Sequence, residues 1–173
     1  MNKPIYIGFS VLDLSKSQVY EFHYDIMPRL AAPENIKLLY TDTDSLVYDI
    51  KDTNIYAAMR DNIQYFKTSD YPENNCFQLP RVNKKIVGLM KDECNGEIMT
   101  EFVGFRAKMY SARVNGEDRM KKCKGVKTSV VKKTINFEDY FDCLNLHKIQ
   151  TESSALSALK DTLSTRWKWT RWP

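Results

Sequence analysis

A short acidic interruption between two β-prone runs is the feature that most constrains how this chain can fold. Residues 36–41 and 45–50 carry aliphatic, branched and aromatic side chains, and only Asp42, Thr43 and Asp44 separate them. Aspartate and threonine favour turns because their side chains hydrogen-bond to nearby backbone groups. The pattern therefore predicts a β-hairpin with acidic residues at its tip.

The two carboxylates at this tip suit metal chemistry. Residues two apart in an extended segment project to the same side, so we expect Asp42 and Asp44 to point at one region beyond the hairpin. A hard divalent cation relieves their repulsion, and Mg²⁺ is commonly held by one or two carboxylates together with phosphate oxygens and water. The alternative interpretation is an acidic turn that is simply solvated.

A second candidate site is the pair Lys108 and Tyr110, within residues 101–111. Alternation along a predicted strand places both on one face, where the ammonium can pair with phosphate and the phenol can stack or hydrogen-bond. Lys-x-Tyr also occurs in ordinary half-exposed strands, which is the alternative for this pair.

Positive charge is concentrated in residues 119–133, which contain seven basic residues and no acid. The whole chain is nearly balanced, with 26 Lys+Arg against 22 Asp+Glu and a formal net charge of +4. A basic patch can neutralise phosphates without recognising bases, or it can be a solvated strand face. The binding candidates are Lys122, Lys124 and Lys127 around Gly125, because glycine permits close backbone approach.

The remaining pattern predicts an α+β fold in which helices pack with antiparallel hairpins. Helices are predicted at residues 12–30, with Ser10 and Asp13 at the opening cap, and at 55–66, with Asp52 or Thr53 as the cap. Further hairpins are predicted across the Asn-Gly pairs at residues 95–96 and 115–116. A third helix is predicted at residues 137–146, capped by Asn136, and the tryptophan-rich residues 165–173 are expected to be loosely ordered.

Composition favours an intracellular protein. The four cysteines are scattered without zinc-ligand spacing to one another or to either histidine, which favours reduced thiols. The N-terminal segment lacks the uninterrupted apolar core of a signal peptide, and no run approaches membrane-spanning length. We therefore expect a chain that is not secreted and has no membrane partner.

The hexapeptide at residues 40–45, Tyr-Thr-Asp-Thr-Asp-Ser, resembles the acidic hairpin motif Tyr-x-Asp-Thr-Asp-Ser of family-B DNA polymerases. The tripeptide at residues 108–110 resembles the Lys-x-Tyr strand that lies downstream of that hairpin in the family. The resemblance covers roughly residues 3–146. The segment at residues 3–25 looks like the protein-primed polymerases of viruses and self-synthesising DNA transposons.

The resemblance implies a DNA-directed DNA polymerase that adds nucleotides to a primer 3′-hydroxyl by a two-metal mechanism with Mg²⁺. It implies that Asp42 is a catalytic metal ligand, that Asp44 is the neighbouring acid and that Tyr40 lies near the primer terminus. It also implies that Lys108 and Tyr110 contact the primer strand. The implied partners are primer–template DNA, deoxynucleoside triphosphates and, in the protein-primed subgroup, a terminal priming protein. The implied location is the nucleus or a viral replication site.

The family's upstream motif Asp-x-x-Ser-Leu-Tyr-Pro and its nucleotide-binding lysine helix have no counterpart before Tyr40. We therefore expect a polymerase palm fragment whose other metal ligand lies outside this chain. Residues 1–92 would be the C-terminal part of the palm with the acidic hairpin, 93–150 the Lys-x-Tyr strands and the start of the thumb, and 151–173 a tail. One alternative is a catalytically inactive, polymerase-derived remnant that binds nucleic acid. A more distant alternative is a haloacid-dehalogenase-like phosphatase, which needs a helix after a parallel strand.

Overall fold

The computed structural model describes residues 4–145 and divides the chain into two compact units, Met1–Glu97 and Ile98–Pro173. Helices, antiparallel hairpins and small open sheets make up the described part, so the predicted α+β class is confirmed. No helix in residues 4–145 combines the length and apolar character needed to cross a membrane. The tail predicted at residues 165–173 lies outside the described residues.

The first unit consists of an N-terminal helical segment, a hairpin, a short helix and long loops. Its helices and strands are α1 (Ile5–Glu21), a π-helical turn (Phe22–Ile26), α2 (Met27–Leu30), β1 (Ile36–Asp42), β2 (Ser45–Ile50), α3 (Ile55–Asp61), β3 (Phe66–Lys67) and β4 (Met90–Lys91). Strands β1 and β2 pair in the antiparallel sense, which confirms the hairpin predicted from the acidic interruption.

An apolar core holds the first unit together. Its buried members are Phe22, Ile26, Met27, Leu30, Met59, Phe66, Tyr71 and Leu79. Leu46, Tyr48 and Ile50 of β2 pack against this core, so β2 anchors the hairpin to the rest of the unit. Burying apolar side chains of this kind is the main stabilising contribution to such a unit, at roughly 1.5–3 kcal/mol for each large residue.

Both predicted helix caps in the first unit are wrong, although the second predicted helix does begin at Ile55. Helix α1 begins at Ile5, so Ser10 lies inside it, and the Ser10 hydroxyl donates to the Tyr6 carbonyl at 2.9 Å instead of capping the helix. Helix α3 is capped by Asn54, whose side-chain oxygen accepts a hydrogen bond from the Ala57 N–H at 3.2 Å. An amide cap satisfies one of the N–H groups that the first helical turn leaves unpaired.

The hairpin predicted across residues 95–96 is also wrong. Strand β4 pairs in parallel with β3 rather than with the strand that follows it. The Asp92 carboxylate accepts hydrogen bonds from the backbone N–H groups of Cys94 at 2.8 Å and Gly96 at 2.7 Å, and from the Tyr71 hydroxyl at 2.6 Å. These bonds close a local turn around Asp92, which replaces the strand pairing that Asn-Gly favours.

The second unit is a three-stranded antiparallel sheet covered by two helices. Its elements are β5 (Met99–Arg106), β6 (Met109–Val114), β7 (Glu117–Cys123), α4 (Thr128–Thr134) and α5 (Phe137–Asn145). The hairpin across residues 115–116 is confirmed, and Asn115 and Gly116 both have positive φ, at 52° and 80°. Positive φ at both central residues is the geometry that makes Asn-Gly favour this turn.

The predicted helix at residues 137–146 is confirmed as α5 over its described length, but Asn136 does not cap it through its side chain. The Asp118 carboxylate accepts from the Phe137 N–H at 2.8 Å, and the Asp139 carboxylate accepts from the Asn136 N–H at 2.8 Å. Asp118 also pairs with Arg113 at 2.9 Å, so the start of α5 is tied to the sheet. Helix α4, inside the basic run, was not predicted.

Candidate functional site

The acidic hairpin closes through a two-residue turn. In the register of β1 and β2, Asp42 lies opposite Ser45, which leaves Thr43 and Asp44 as the turn residues. Thr43 has a φ of 59°, a left-handed conformation that is costly for a β-branched residue. The same strain marks backbone that its surroundings hold in place, and it is often found at functional sites.

Three hydrogen bonds brace the hairpin tip. The Asp42 carbonyl accepts from the Asp44 N–H at 2.7 Å and from the Ser45 hydroxyl at 3.0 Å. The Thr43 hydroxyl donates to the Asp42 carboxylate at 3.2 Å, which orients one of its oxygens. The Asp44 carboxylate is exposed and has no hydrogen-bond or ion-pair partner among residues 4–145, so it is available to a ligand.

Strand alternation, from which the two carboxylates were predicted to point at one region, does not apply to Asp42 and Asp44. Asp42 is the last residue of β1 and is half-buried, whereas Asp44 belongs to the turn and is exposed. Strand alternation therefore does not apply across Thr43. The two acids are neighbours because Asp42 immediately precedes the two-residue turn and Asp44 is the second residue of that turn. The antiparallel β2 that follows also contradicts the phosphatase alternative, which requires a helix after this strand.

A histidine that sequence reasoning did not select supports the hairpin from the helical segment. His23, in the π-helical turn, has its Nδ1 2.9 Å from the Tyr48 hydroxyl, and the two rings stack with centroids 5.7 Å apart. Burial raises the pKa of Tyr48 to about 12, so the phenol stays protonated at neutral pH. This contact fixes the orientation of β2, the strand that leads away from Ser45.

The donor set at the tip suits part of a magnesium site. Carboxylate oxygens are the ligands that Mg²⁺ prefers, and this ion keeps several positions for water and phosphate. Within residues 4–145 no group of three or more His, Cys, Asp or Glu side chains is placed to hold a metal ion. Asp42 and Asp44 could therefore supply two ligands of a site completed by a substrate or another segment.

Lys108 does not lie on a strand, so the prediction that Lys108 and Tyr110 share one strand face is wrong. Lys108 sits in the turn before β6, with a φ of 62°, and β6 begins at Met109. The positive φ breaks the alternation on which that prediction relied. Tyr110 is on β6 and half-buried, and its ring stacks on Phe102 of β5 with centroids 5.8 Å apart.

Strand pairing nevertheless brings four of the predicted DNA-contacting residues to one end of the sheet. Tyr110 of β6 lies opposite Lys122 of β7, so their side chains share a face. Met109 lies opposite Cys123 in the next pair, and both are buried. Lys108 immediately precedes Met109 in the chain and Lys124 immediately follows Cys123, so both lie next to this pair just outside the strands. We call Lys108, Tyr110, Lys122 and Lys124 the sheet-end cluster.

The basic run contains two cations that bond to other groups of the chain and five available cations, which have no ion-pair partner among residues 4–145. Lys121 donates to the Ile135 carbonyl at 2.8 Å, and Arg119 pairs with Glu117 at 3.6 Å. The other five cations are exposed and have no ion-pair partner among residues 4–145; they are Lys122, Lys124, Lys127, Lys132 and Lys133. The three candidates predicted within the basic run, Lys122, Lys124 and Lys127, all belong to this set of five.

No protein-family model matches the sequence, and the searches of curated proteins and of solved structures found no match either.

Proposed function

We propose that this chain supplies the acidic hairpin and the primer-strand contacts of a DNA-directed DNA polymerase. In that reaction a primer 3′-hydroxyl attacks the α-phosphate of a deoxynucleoside triphosphate, the bond between the α- and β-phosphates breaks, and pyrophosphate leaves. The observation that carries the proposal is the hairpin tip. It holds Asp42 and Asp44 on a braced two-residue turn, and the Asp44 carboxylate has no partner among residues 4–145. Ligands on a rigid hairpin keep the fixed geometry that metal-assisted transfer needs.

In this proposal Asp42 and Asp44 hold Mg²⁺ together with nucleotide phosphate oxygens and water. Paired Mg²⁺ ions, when bound, activate the attacking oxygen and stabilise the leaving oxygen. Two carboxylates from one hairpin are too few for both ions, so catalysis needs a further acidic ligand from beyond residues 4–145. Tyr40, two residues before Asp42 on β1, is assigned to the primer terminus.

The second unit contributes the contacts to DNA. The sheet-end cluster combines an aromatic ring with three ammonium groups, which suits a nucleic-acid backbone because cations pair with phosphates and a phenol donates to phosphate or sugar oxygens. Lys127, at the start of α4, adds one exposed cation. Contacts to phosphate and sugar carry no base information, so the proposed binding is independent of DNA sequence.

A second candidate function is nucleic-acid binding without catalysis by a polymerase-derived remnant. The observation that favours it is the imbalance between the two sites. The second unit carries five exposed lysines without ion-pair partners among residues 4–145, whereas the hairpin offers only two carboxylates. This candidate predicts that DNA and metal bind independently of each other, even when an incoming nucleotide is present.

The hairpin is tested directly with Mn²⁺, a paramagnetic substitute for Mg²⁺, added to the isotope-labelled full chain. We expect selective broadening of the backbone amide signals of Asp44 and Ser45, and recovery of those signals when excess Mg²⁺ competes. Asp42→Asn should greatly reduce the broadening, because one charged ligand is lost. Uniform broadening, or broadening that Asp42→Asn leaves unchanged, would contradict a metal site at the tip.

The matched control is Asp52→Asn. Asp52 is an exposed aspartate of the same unit with a φ of 50°, a conformation that asparagine tolerates well, so this change removes a charge without backbone strain. It should leave the Mn²⁺ effect intact. Both candidates predict no primer extension by the chain alone with Mg²⁺, because the hairpin offers two carboxylates only. Extension that Asp42→Asn abolishes would rule out the inactive remnant.

A further inference from the structure

Helix α1 exposes far more apolar surface than a solvated helix normally does. Of its 17 residues only Val19 is buried. Its exposed large apolar residues, with their exposed fractions, are Ile5 84%, Tyr6 73%, Ile7 52%, Phe9 64%, Val11 57%, Leu12 44%, Leu14 72% and Tyr20 60%. Single exposed apolar residues are ordinary, but a contiguous apolar patch marks an interaction site.

One side of this helix has the spacing of a helix–helix contact. Ile5, Phe9, Leu12 and Tyr20 follow one another at steps of four, three and eight residues, which places them on the same side of an α-helix. Two opposite charges, Asp13 and Lys16, lie between them on that side, and both are exposed. We call these six residues the Phe9 face.

We propose that the Phe9 face binds the same face of a second copy of this chain, with the two α1 helices antiparallel. The two-fold axis crosses the contact at the level along the helix that lies midway between residues 14 and 15. In a symmetric contact every pair of residues occurs twice. This axis sets Asp13 of each copy against Lys16 of the other and Phe9 against Tyr20. Both ion pairs and both aromatic pairs are then satisfied at once.

Charge complementarity selects this occupant over an unrelated partner. Asp13 and Lys16 are one helical turn apart, so the antiparallel arrangement about this axis matches unlike charges, whereas the parallel arrangement in register sets like charges together. Offset or edge-to-face contact between Phe9 and Tyr20 adds stabilisation beyond the burial of area. Tyr24, which is 69% exposed and lies next to Tyr20 at a ring-centroid distance of 6.3 Å, extends the aromatic surface.

The available area is that of a modest but specific dimer. Aromatic side chains bury about 150–250 Å² each when covered, so the exposed fractions of Phe9, Tyr20 and Tyr24 offer roughly 400 Å² per chain. A specific interface typically buries about 800 Å² on each side. The three rings thus supply about half of that area, and Ile5 and Leu12 add to it.

Charge reversal tests the pairing in the full-length chain, with sedimentation velocity as the readout over a range of protein concentrations. We expect the wild type to dimerise with rising concentration. Asp13→Lys sets lysine against lysine and Lys16→Asp sets aspartate against aspartate, so each variant alone should dimerise at least about tenfold more weakly. An equimolar mixture of the two variants should dimerise again, because every pair across the mixed interface is then opposite in charge.

A second pair of variants locates the face. Phe9→Glu should abolish dimerisation, whereas Leu14→Glu, on the opposite side of the same helix and 72% exposed, should leave it unchanged. Circular dichroism checks that each variant remains folded. A wild type that stays monomeric, a mixture that does not recover, or equal effects of Phe9→Glu and Leu14→Glu would each overturn the proposal. In those cases α1 has another occupant, such as a different protein, a membrane surface or another segment of this chain.

Discussion

Removing the three cations predicted to bind DNA should change how its binding depends on salt. The variant is the triple substitution Lys122→Ala, Lys124→Ala and Lys127→Ala. All three side chains are exposed and have no ion-pair partner among residues 4–145, so their removal breaks no ion pair of the described structure. The second unit should therefore stay folded while its capacity to neutralise phosphates falls.

The size of the effect follows from counterion release. Each phosphate neutralised on duplex DNA contributes about 0.9 to the slope of log affinity against log salt concentration. If all three lysines contact phosphates, the triple variant loses about 2.7 from the magnitude of that slope. Between 50 and 200 mM salt, the affinity of the wild type should then fall about 40-fold more than that of the variant.

Fluorescence anisotropy of a labelled primer–template, repeated at several salt concentrations, measures both slopes. The matched control is the triple substitution of Lys37, Lys51 and Lys84 by alanine, which removes the same charge from exposed sites of the first unit. If the two triple variants lose equal slope, binding depends on net charge alone and the assignment of Lys122, Lys124 and Lys127 is wrong. A slope that the triple substitution of Lys122, Lys124 and Lys127 leaves unchanged also refutes the assignment of these lysines.

Three further predictions concern the framework of the first unit. Asp92→Ala removes the acceptor of three hydrogen bonds and leaves the hydroxyl of Tyr71, a residue only 2% exposed, without its partner. Urea unfolding should therefore show a free energy of unfolding lower by about 3 kcal/mol, and Asp92→Asn should lower it less. Hydrogen bonding, chiefly from Lys67, lowers the pKa of Asp70 from 3.8 to about 2. The ionised Asp70 carboxylate therefore stabilises the fold fully above pH 4, and this stabilisation should vanish as the pH falls towards 2. At that pH Asp70→Asn and wild type should unfold alike. Asn54→Ala removes the cap of α3 and should cost about 1 kcal/mol in thermal unfolding; an effect below a few tenths would refute the capping role.

Elements with a local signal could be predicted from the sequence. The hairpin of β1 and β2 and the hairpin across residues 115–116 each join two β-prone runs through turn residues adjacent in the chain, so no distant contact is needed to specify them. The start of α5 at Phe137 is similarly local. Turn chemistry acts over a few residues, which is why it can be recognised without a structure.

Elements that depend on contacts between residues far apart in the chain could not be predicted from the sequence. The Asn-Gly at residues 95–96 carries the same local signal as that at 115–116, but the Asp92 carboxylate and the buried Tyr71 hydroxyl hold it in a turn of another kind. The early start of α1 was missed for a different reason. Its first half is apolar on several sides, so it lacks the one-sided pattern by which a helix packed on its own core is recognised.

The same division applies to the candidate site. Asp42 and Asp44 could be selected from the sequence because they are neighbours in it. The opposition of Tyr110 and Lys122 depends on strand register across 12 residues, and the contact between His23 and Tyr48 joins residues 25 apart. The turn at residues 115–116 by itself would set Tyr110 opposite Lys121. An irregularity in the pairing between Ala112 and Arg113 shifts the register by one residue, and neither this shift nor a contact between residues 25 apart leaves a local pattern in a single sequence.

The two proposed chemistries lie in different units, and this makes the two candidate functions separable by experiment. Asp42 and Asp44 belong to Met1–Glu97, and the five available lysines belong to Ile98–Pro173. In either case Asp42→Asn should leave the salt slope of DNA binding unchanged, and the triple lysine variant should leave Mn²⁺ broadening of Asp44 unchanged. The difference arises when metal and DNA are both present. A polymerase site completes its coordination with substrate phosphates, so a primer–template with an incoming nucleotide should tighten Mn²⁺ binding at Asp44, and Asp42→Asn should abolish that coupling. A binding remnant has no shared ligand between its two units, so metal and DNA should bind independently.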